Sequence, residues 1–158
     1  MRTYAPVGQT PIPHEHLTRD HLSVISAITM EGKPLMMEQE RAFKSPDVVC
    51  FLRHLLRQIP AKLLIIWDGS PIHRGRAVKE FFASRAAEGR LKLEQLPGYA
   101  SDLNPDEGVW KHLKYVELKN VCCQSISELR IELRKAKERL RHKIDVILGC
   151  IRQQGFKV

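Results

Sequence analysis

Short apolar stretches along the chain predict three β-strands. The first, over residues 21–29, alternates β-branched and polar residues and is closed by the turn pair Glu31-Gly32. The second, residues 63–67, is a continuous apolar run of the kind found in strands that are covered on both faces. The third strand is marked by Leu91, Leu93 and Leu96.

Helix signals lie between and after these strands. Ser45-Pro46-Asp47 supplies an N-cap, a first-turn proline and an acidic residue for a helix that runs to about Gln58. Residues 75–87 predict a second helix and residues 105–119 a third. Ser125-Ile126-Ser127-Glu128 matches a capping box that opens one long final helix. The buried stripe of that helix is predicted to comprise Ile126, Leu129, Leu133, Ala136, Leu140, Ile144 and Leu148.

The order of strand, helix and strand between residues 63 and 96 predicts a parallel βαβ unit with a right-handed crossover, and therefore an α/β fold. The 158 residues, 43% of them hydrophobic, are enough for one domain with a substantial core. No linker rich in Pro, Gly or Ser divides them. We expect a single domain, with hairpin strands and a first helix in residues 1–60, the core in 61–110 and a basic helical tail in 111–158.

Basic residues are concentrated in the last third of the chain. The 26 Lys and Arg against 18 Asp and Glu give a net charge of +8, and residues 111–158 alone hold 12 basic and 5 acidic residues. This excess indicates a polyanionic partner such as nucleic acid. Four basic residues at helical spacing form either a solvated face or a phosphate-contacting one. They are Arg130, Arg134, Lys137 and Arg141.

The cysteine pattern and the hydropathy favour a cytoplasmic protein. The apolar stretches are far shorter than a membrane span, and the first residues lack the apolar core of a signal peptide. The cysteines include no C-x-x-C pair and form no dense disulfide framework, which fits a reducing compartment. They are Cys50, Cys122, Cys123 and Cys150.

Two acidic residues stand where chemistry is expected. Asp68 follows the second strand, and ligands collect at the carboxyl ends of strands in open α/β sheets. Alternatively, Asp68 is a turn residue that bonds its own backbone ahead of Gly69. Glu107 lies in the first turn of the third predicted helix, where the helix dipole favours a carboxylate whatever the function. The same interpretation covers Asp106, which we leave out of the predicted site.

A shared cleft would give Asp68 and Glu107 the character of a metal site. Carboxylate oxygens are ligands for Mg²⁺ or Mn²⁺, and paired ions of this kind activate a water or a 3′-hydroxyl in phosphodiester chemistry. A P-loop nucleotidase is excluded, because the chain has no G-x-x-x-x-G-K-[ST] motif. His73 and Arg74 either reach a phosphate there or only begin the next helix. A surface or strand-edge location, and not a metal site, is predicted for His14, His16 and His21.

Two segments carry a resemblance to a known family. One is LIIWDGSPIHR at residues 64–74, and the other is LPGYASDLNPDEGVW at residues 96–110. In order and spacing they resemble the second and third acid motifs of DDE-type transposases. More narrowly, they are similar to bacterial insertion-sequence transposases related to the mariner group. The likeness continues upstream in residues 2–11 and 21–25 and so covers most of the chain.

The resemblance implies a ribonuclease-H-like mixed sheet flanked by helices, with a long basic C-terminal helix. It also implies that Asp68 and Glu107 bind catalytic Mg²⁺ or Mn²⁺, and that the partner is DNA. The implied processes are DNA transposition and DNA recombination. Basic residues are expected to contact the nucleic acid. They are His73, Arg74, Lys111, Lys114, Arg130, Arg134, Lys137 and Arg141.

The chain departs from the family pattern near its beginning. The family's first catalytic Asp lies on a strand just before a segment that here starts at Arg2, and neither Glu15 nor Asp20 has a matching context. In the family that strand is central in the sheet. We therefore expect a sheet without its first strand, and a chain that associates with itself or with an upstream transposase fragment that supplies the Asp. The family's helix-turn-helix domain is not expected here either.

Two functions remain open from the sequence. The first is the metal-dependent DNA strand cleavage and transfer domain of an insertion-sequence transposase, inactive alone because the first catalytic Asp is absent. The alternative is a non-catalytic nucleic-acid-binding remnant, or a modulator of a full-length transposase, that kept the basic C-terminal face. Metal-dependent nicking of supercoiled DNA distinguishes the two.

Overall fold

The computed structural model describes residues 21–84, 89–98 and 101–158. The strands are β1 (Ser23–Ile28), β2 (Pro34–Gln39), β3 (Leu63–Trp67) and β4 (Leu91–Gln95). The α-helices are α1 (Ser45–Gln58), α2 (Arg76–Phe82), α3 (Pro105–His112), α4 (Ile126–Arg141) and α5 (Ile144–Gln153). A π-helical turn, Leu113–Glu117, follows α3. The expectations for residues 2–11, His14, Glu15, His16, Asp20 and the 85–87 end of the second predicted helix lie outside the described residues.

The hairpin of β1 and β2 lies between two hydrophobic cores. The strands pair antiparallel, with Ser23 opposite Gln39 and Ile28 opposite Pro34. Alternate residues of a strand point to opposite faces. One face contributes Ile25, Ala27, Leu35 and Met37 to the first core, and the other contributes Val24, Ile28 and Met36 to the second. His21, just before β1, is exposed as predicted.

The first core is covered by α1 and α2. The buried residues that these helices contribute are Val48, Val49, Phe51, Leu52, Leu55, Val78 and Phe81. Helix α1 spans the predicted residues, but its N-cap is Lys44, and the prediction of Ser45 is wrong. The Asp47 carboxylate accepts the Lys44 backbone N–H at 2.8 Å. The Ser45 hydroxyl instead donates to the backbone oxygen of Ile72 at 2.8 Å, which ties α1 to the turn after β3.

Strands β3 and β4 pair in parallel, starting with Leu63 opposite Leu91, and α2 connects them. The predicted βαβ unit is therefore confirmed. The prediction that β3 is covered on both faces is wrong, because Leu64 and Ile66 are 57% and 44% exposed. The first core meets only the opposite face of β3, which carries Leu63, Ile65 and Trp67.

The described strands form two separate two-stranded sheets, β1 with β2 and β3 with β4. Both β1 and β3 contribute residues to the first core. Each also has one edge without a strand neighbour among the described residues. The backbone groups along such an edge are available to pair with a further strand. The described residues therefore show the expected mixed sheet as two separate pairs of strands.

The second core joins α3, the π-helical turn, α4 and α5 to the hairpin. Its buried residues are Val109, Leu113, Leu133, Ala136, Leu140, Ile147 and Ile151. The predicted cap of α4 is confirmed, since the Ser125 hydroxyl accepts the Glu128 N–H at 3.1 Å. In the ranges that the structure describes, no helix combines the length and the apolarity needed to cross a membrane.

The prediction of one long C-terminal helix is wrong. Helix α4 ends at Arg141, and α5 begins at Ile144. Between them Lys143 leaves the helical conformation, with a ψ of 53°. The resulting change of direction leaves Ile144 48% exposed and buries Ile147 and Ile151 instead. Of the predicted stripe, Leu133, Ala136 and Leu140 are buried and Leu148 is partly buried against the second core, whereas Ile144 is exposed.

Candidate functional site

The turn after β3 orients Asp68 through one of its two carboxylate oxygens. Oδ1 accepts the Ser70 backbone N–H at 2.9 Å and lies 3.2 Å from His73 Nε2. Oδ2 makes no hydrogen bond within the described ranges, and the side chain is 58% exposed. Asp68 therefore serves the turn, as the alternative prediction held, and still offers a free oxygen.

Aromatic stacking holds the ring of His73 beside Asp68. The ring stacks on Trp67, with ring centres 4.5 Å apart, and Trp67 meets Phe82 in a T-shaped contact. Burial lowers the pKa of His73, although the nearby Asp68 opposes this shift. Because a carboxylate only accepts hydrogen bonds, the Nε2 atom of the neutral ring must carry the proton. With 13% of its side chain exposed, His73 has little surface for a DNA phosphate.

Helix α3 presents Glu107 in its first turn. The side chain of Asn104 caps the helix and accepts the Asp106 N–H at 3.1 Å, and Pro105 takes the first helical position. Glu107 is exposed. Its carboxylate makes no hydrogen bond or ion pair with any described residue, so both of its oxygens are open to a ligand. No hydrogen bond links Glu107 to Asp68 in the same ranges.

Three of the basic residues predicted to contact DNA are near these acids in the sequence. Arg74 is exposed and donates to the backbone oxygen of Gly69 at 3.1 Å. Lys111 is exposed, and Lys114 Nζ lies 5.6 Å from the ring centre of Trp110. None of the three forms an ion pair in the described part of the chain. Their charges are therefore available to a phosphate.

The sequence analysis missed Asp106, whose carboxyl group is enclosed between α3 and β1. Its Oδ2 accepts hydrogen bonds from Ser26 Oγ at 2.5 Å and Trp110 Nε1 at 3.1 Å. Its Oδ1 is buried and has no hydrogen-bond partner among the described residues. Burial raises the pKa of Asp106, and the bonds from Ser26 and Trp110 only partly oppose this. One signal was present, because Ser26 is polar on the β1 face that Val24 and Ile28 otherwise make apolar.

The donor set of Asp68 and Glu107 fits a hard divalent ion. Their free carboxylate oxygens are the ligands that Mg²⁺ and Mn²⁺ prefer, and both ions keep several waters when few protein ligands are present. Within the ranges described, no cluster of three or more His, Cys, Asp or Glu side chains is suited to hold a metal. Asp68 and Glu107 therefore belong to no three-ligand cluster in the described part of the chain.

The basic stripe of α4 is largely engaged by acidic side chains. Of its four members, only Arg134 lacks an ion pair within the described residues. The pairs are Arg130 with Glu40 at 3.0 Å, Lys137 with Glu38 at 2.8 Å and Arg141 with Glu138 at 3.1 Å. Two of them fasten α4 to β2 and the residue after it. The stripe is thus neither simply solvated nor a free phosphate-binding face.

Glu117 gathers three further basic side chains that the sequence analysis did not single out. Its carboxylate meets Lys143 Nζ at 2.6 Å, Arg139 Nε at 2.7 Å and His112 Nε2 at 3.2 Å. Burial works against its ionisation, but the three contacts outweigh burial and lower the pKa of Glu117 to about 2. This cluster joins the end of α3 to α4 and to the start of α5.

Comparison with protein families gives the chain its class. The model of the DDE superfamily endonucleases matches residues 1–130, a range that includes Asp68 and Glu107. The chain therefore belongs to the DDE superfamily of endonucleases. No curated protein matches its sequence at a significant level.

Solved structures of Mos1 transposase share the fold. A paired-end complex with the left transposon end superimposes with a TM-score of 0.61 at 17% identity, over 98% of this chain and 50% of that one. The Mos1 mariner paired-end complex with Mn superimposes with a TM-score of 0.62 at 16% identity, over 98% of this chain and 51% of that one. The catalytic domain of Mos1 transposase superimposes with a TM-score of 0.52 at 18% identity, over 85% of this chain and 74% of that one. The chain thus spans about half of the length of the first two. The family model confirms the predicted DDE class, and the shared fold confirms the predicted ribonuclease-H-like architecture.

Proposed function

We propose that the chain is the strand-cutting and strand-transfer domain of an insertion-sequence transposase. It acts on DNA in the cytoplasm as one domain over residues 1–158, and Asp68 and Glu107 hold Mg²⁺ or Mn²⁺. The observation that carries the proposal is the pair of free carboxylates at the end of β3 and the start of α3, inside the segment that the family model matches. The structures of similar fold support it, because they include transposon-end DNA and Mn.

The side chains around the two acids have separate tasks in this proposal. When bound, the metal would activate a water and then a 3′-hydroxyl for attack on phosphorus. His73 Nε2–H donates a hydrogen bond to Asp68 and keeps that carboxylate in one orientation. Residues that hydrogen-bond to metal ligands have this effect in metal sites. Arg74, Lys111 and Lys114 neutralise DNA phosphates, together with Arg134.

We also propose that a third carboxylate reaches the site on a strand that pairs between β1 and β3. An upstream transposase fragment would supply it, and DNA cleavage would need all three carboxylates. Two features support this proposal: both strands rest on the first core, and each has a free edge in the described structure.

A DNA-binding remnant or modulator without catalysis is the second candidate. Two observations favour it. The bond from Ser70 to Asp68 is one that a turn uses in the absence of any metal. The 12 basic and 5 acidic residues of 111–158 give a positive charge that binding alone would use.

The metal site is tested by Mn²⁺ titration, followed through the electron paramagnetic resonance of the free ion. We expect weak binding to the parent chain and none to Asp68→Asn or Glu107→Gln, because each change removes a charged ligand. The Asn side chain still accepts the Ser70 N–H, so the turn is preserved. The control is Asp102→Asn, which changes an exposed acid in the turn before α3. Binding by Asp68→Asn at parent strength would remove the site.

Salt-dependent DNA binding tests the basic surface. Changing Arg134 and Lys114 to Glu is expected to weaken binding to every DNA sequence by a similar factor and to reduce the slope of log K against log salt by about 2. Adding Arg130→Glu should also destabilise the fold, because it places a like charge beside Glu40. The control pair is Arg57→Glu with Lys62→Glu, which changes the charge equally at two exposed positions, in the last turn of α1 and just before β3. Unchanged affinity of the Arg134/Lys114 variant at low salt would show that these residues do not bind DNA.

A further inference from the structure

We propose that Asp106 is a positioning residue, which places Glu107 by fastening the first turn of α3 to β1. The inference rests on the proposed function, since Glu107 acts there as a metal ligand. Ser26 and Asp106 are 80 residues apart in the chain. Their bond is the only side-chain hydrogen bond between β1 and α3 within the described residues.

The carboxyl group of Asp106 is held from two directions. Ser26 donates from the strand, and Trp110 donates from one turn further along α3, both to the same oxygen. Successive helix residues are turned by about 100° around the axis. Anchoring Asp106 inward therefore determines the direction in which its neighbour Glu107 leaves the helix, which is toward solvent.

The same turn of α3 also packs closely against α5. At Gly108 the helix approaches α5 so closely that an added Cβ would lie 2.9 Å from Cys150 Sγ. The first turn of α3 is therefore fixed between β1 and α5. A small shift of this turn would carry Glu107 with it, and a metal ligand tolerates little displacement.

Enclosing a carboxyl group at this position lowers the stability of the fold. The Oδ1 atom of Asp106 is buried without a partner in the described structure, and an apolar side chain would avoid that cost. An apolar side chain would not, however, give the direction that a hydrogen bond to Ser26 imposes. The contribution of Asp106 is therefore to orient the first turn of α3, and not to stabilise the fold by burial.

The test uses the full chain and three variants, Asp106→Ala, Ser26→Ala and Asp106→Asn. Amide hydrogen exchange over residues 104–109 reports the turn itself, and Mn²⁺ titration reports Glu107. We expect exchange to be at least 10-fold faster, and Mn²⁺ binding about 10- to 100-fold weaker, in both Ala variants. Asp106→Asn should restore both, because its amide oxygen accepts the same two bonds. Asp145→Ala, an exposed acid at the same position of α5, is the matched control.

The outcomes separate this inference from the proposed function. Parent-like exchange in both Ala variants would overturn the positioning role, whatever the metal result. Faster exchange with unchanged Mn²⁺ binding would show that Asp106 holds the turn but does not affect metal binding through Glu107. A parent chain that binds no Mn²⁺ would overturn the proposed metal site, while the exchange data would still decide whether Asp106 holds the turn. Exchange in α1 serves as the internal reference, and Ser26→Ala covers the case in which Asp106→Ala does not fold.

Discussion

An N-terminal extension that adds one strand carrying an Asp is expected to raise the melting temperature by roughly 10 °C and to give metal-dependent DNA cleavage. The strand needs about six residues to match β1. It would satisfy the free backbone edges of β1 and β3 over the first core, which should contribute several kcal/mol, comparable with a good part of the ~5–15 kcal/mol of a whole domain. Calorimetry and nicking of supercoiled DNA with Mg²⁺ measure the two effects.

Two controls separate the strand from its carboxylate. The same extension with Asn in place of the Asp should give the full thermal effect and no cleavage. Moving the Asp by one position turns it to the other face of the sheet, so only one of two adjacent positions should support cleavage. A chain that is already a cooperatively melting monomer, and that gains nothing from the extension, would contradict the proposed strand.

Replacing Glu117 with Gln is expected to lower the free energy of unfolding by about 2–3 kcal/mol at neutral pH. The carboxylate is 3% exposed and is bound by Lys143 and Arg139, and its pKa falls from 4.5 to about 2. A lowered pKa in the folded state stabilises the fold fully above the unfolded value near 4.5, and this stability is lost as the pH falls toward 2. The difference between parent and variant should therefore be largest at pH 7 and small near pH 2.

Urea unfolding at several pH values measures this difference. Asp47, whose pKa Arg41 also lowers to about 2, weakens the parent and the variant equally in acid, so it cancels in the comparison. The matched control is Glu138→Gln, whose carboxyl group is 59% exposed and which should change stability by less than about 0.5 kcal/mol. A difference between parent and Glu117→Gln that stays constant down to pH 2 would show that the charge of Glu117 is not what stabilises the cluster.

The amino-acid sequence by itself determined the local elements and the residues that carry the family likeness. Helix α1, strand β3 and the cap of α4 follow from signals within a few residues, such as Pro46 and Ser125, so neighbouring side chains are enough to specify them. Asp68 and Glu107 lie in two short motifs whose order and spacing can be read along the chain.

Only the tertiary structure decided which charged groups meet. Arg130 and Lys137 form one helical stripe in the sequence. Their partners, Glu40 and Glu38, come from the end of β2 and the residue after it, and Lys137 and Glu38 are 99 residues apart along the chain. The break between α4 and α5 lies at a similar contact, because Lys143, which leaves the helical conformation, also binds Glu117 from another element.

The sequence also could not show which acid is buried. Asp106 and Glu107 are neighbours with similar local signals at the start of a helix, and the helix dipole favours both. Their roles differ because β1 places Ser26 against the side of α3 that Asp106 occupies, and leaves Glu107 in solvent. Periodicity identifies the face of an element, whereas packing between distant elements decides whether that face meets water, a counter-ion or a core.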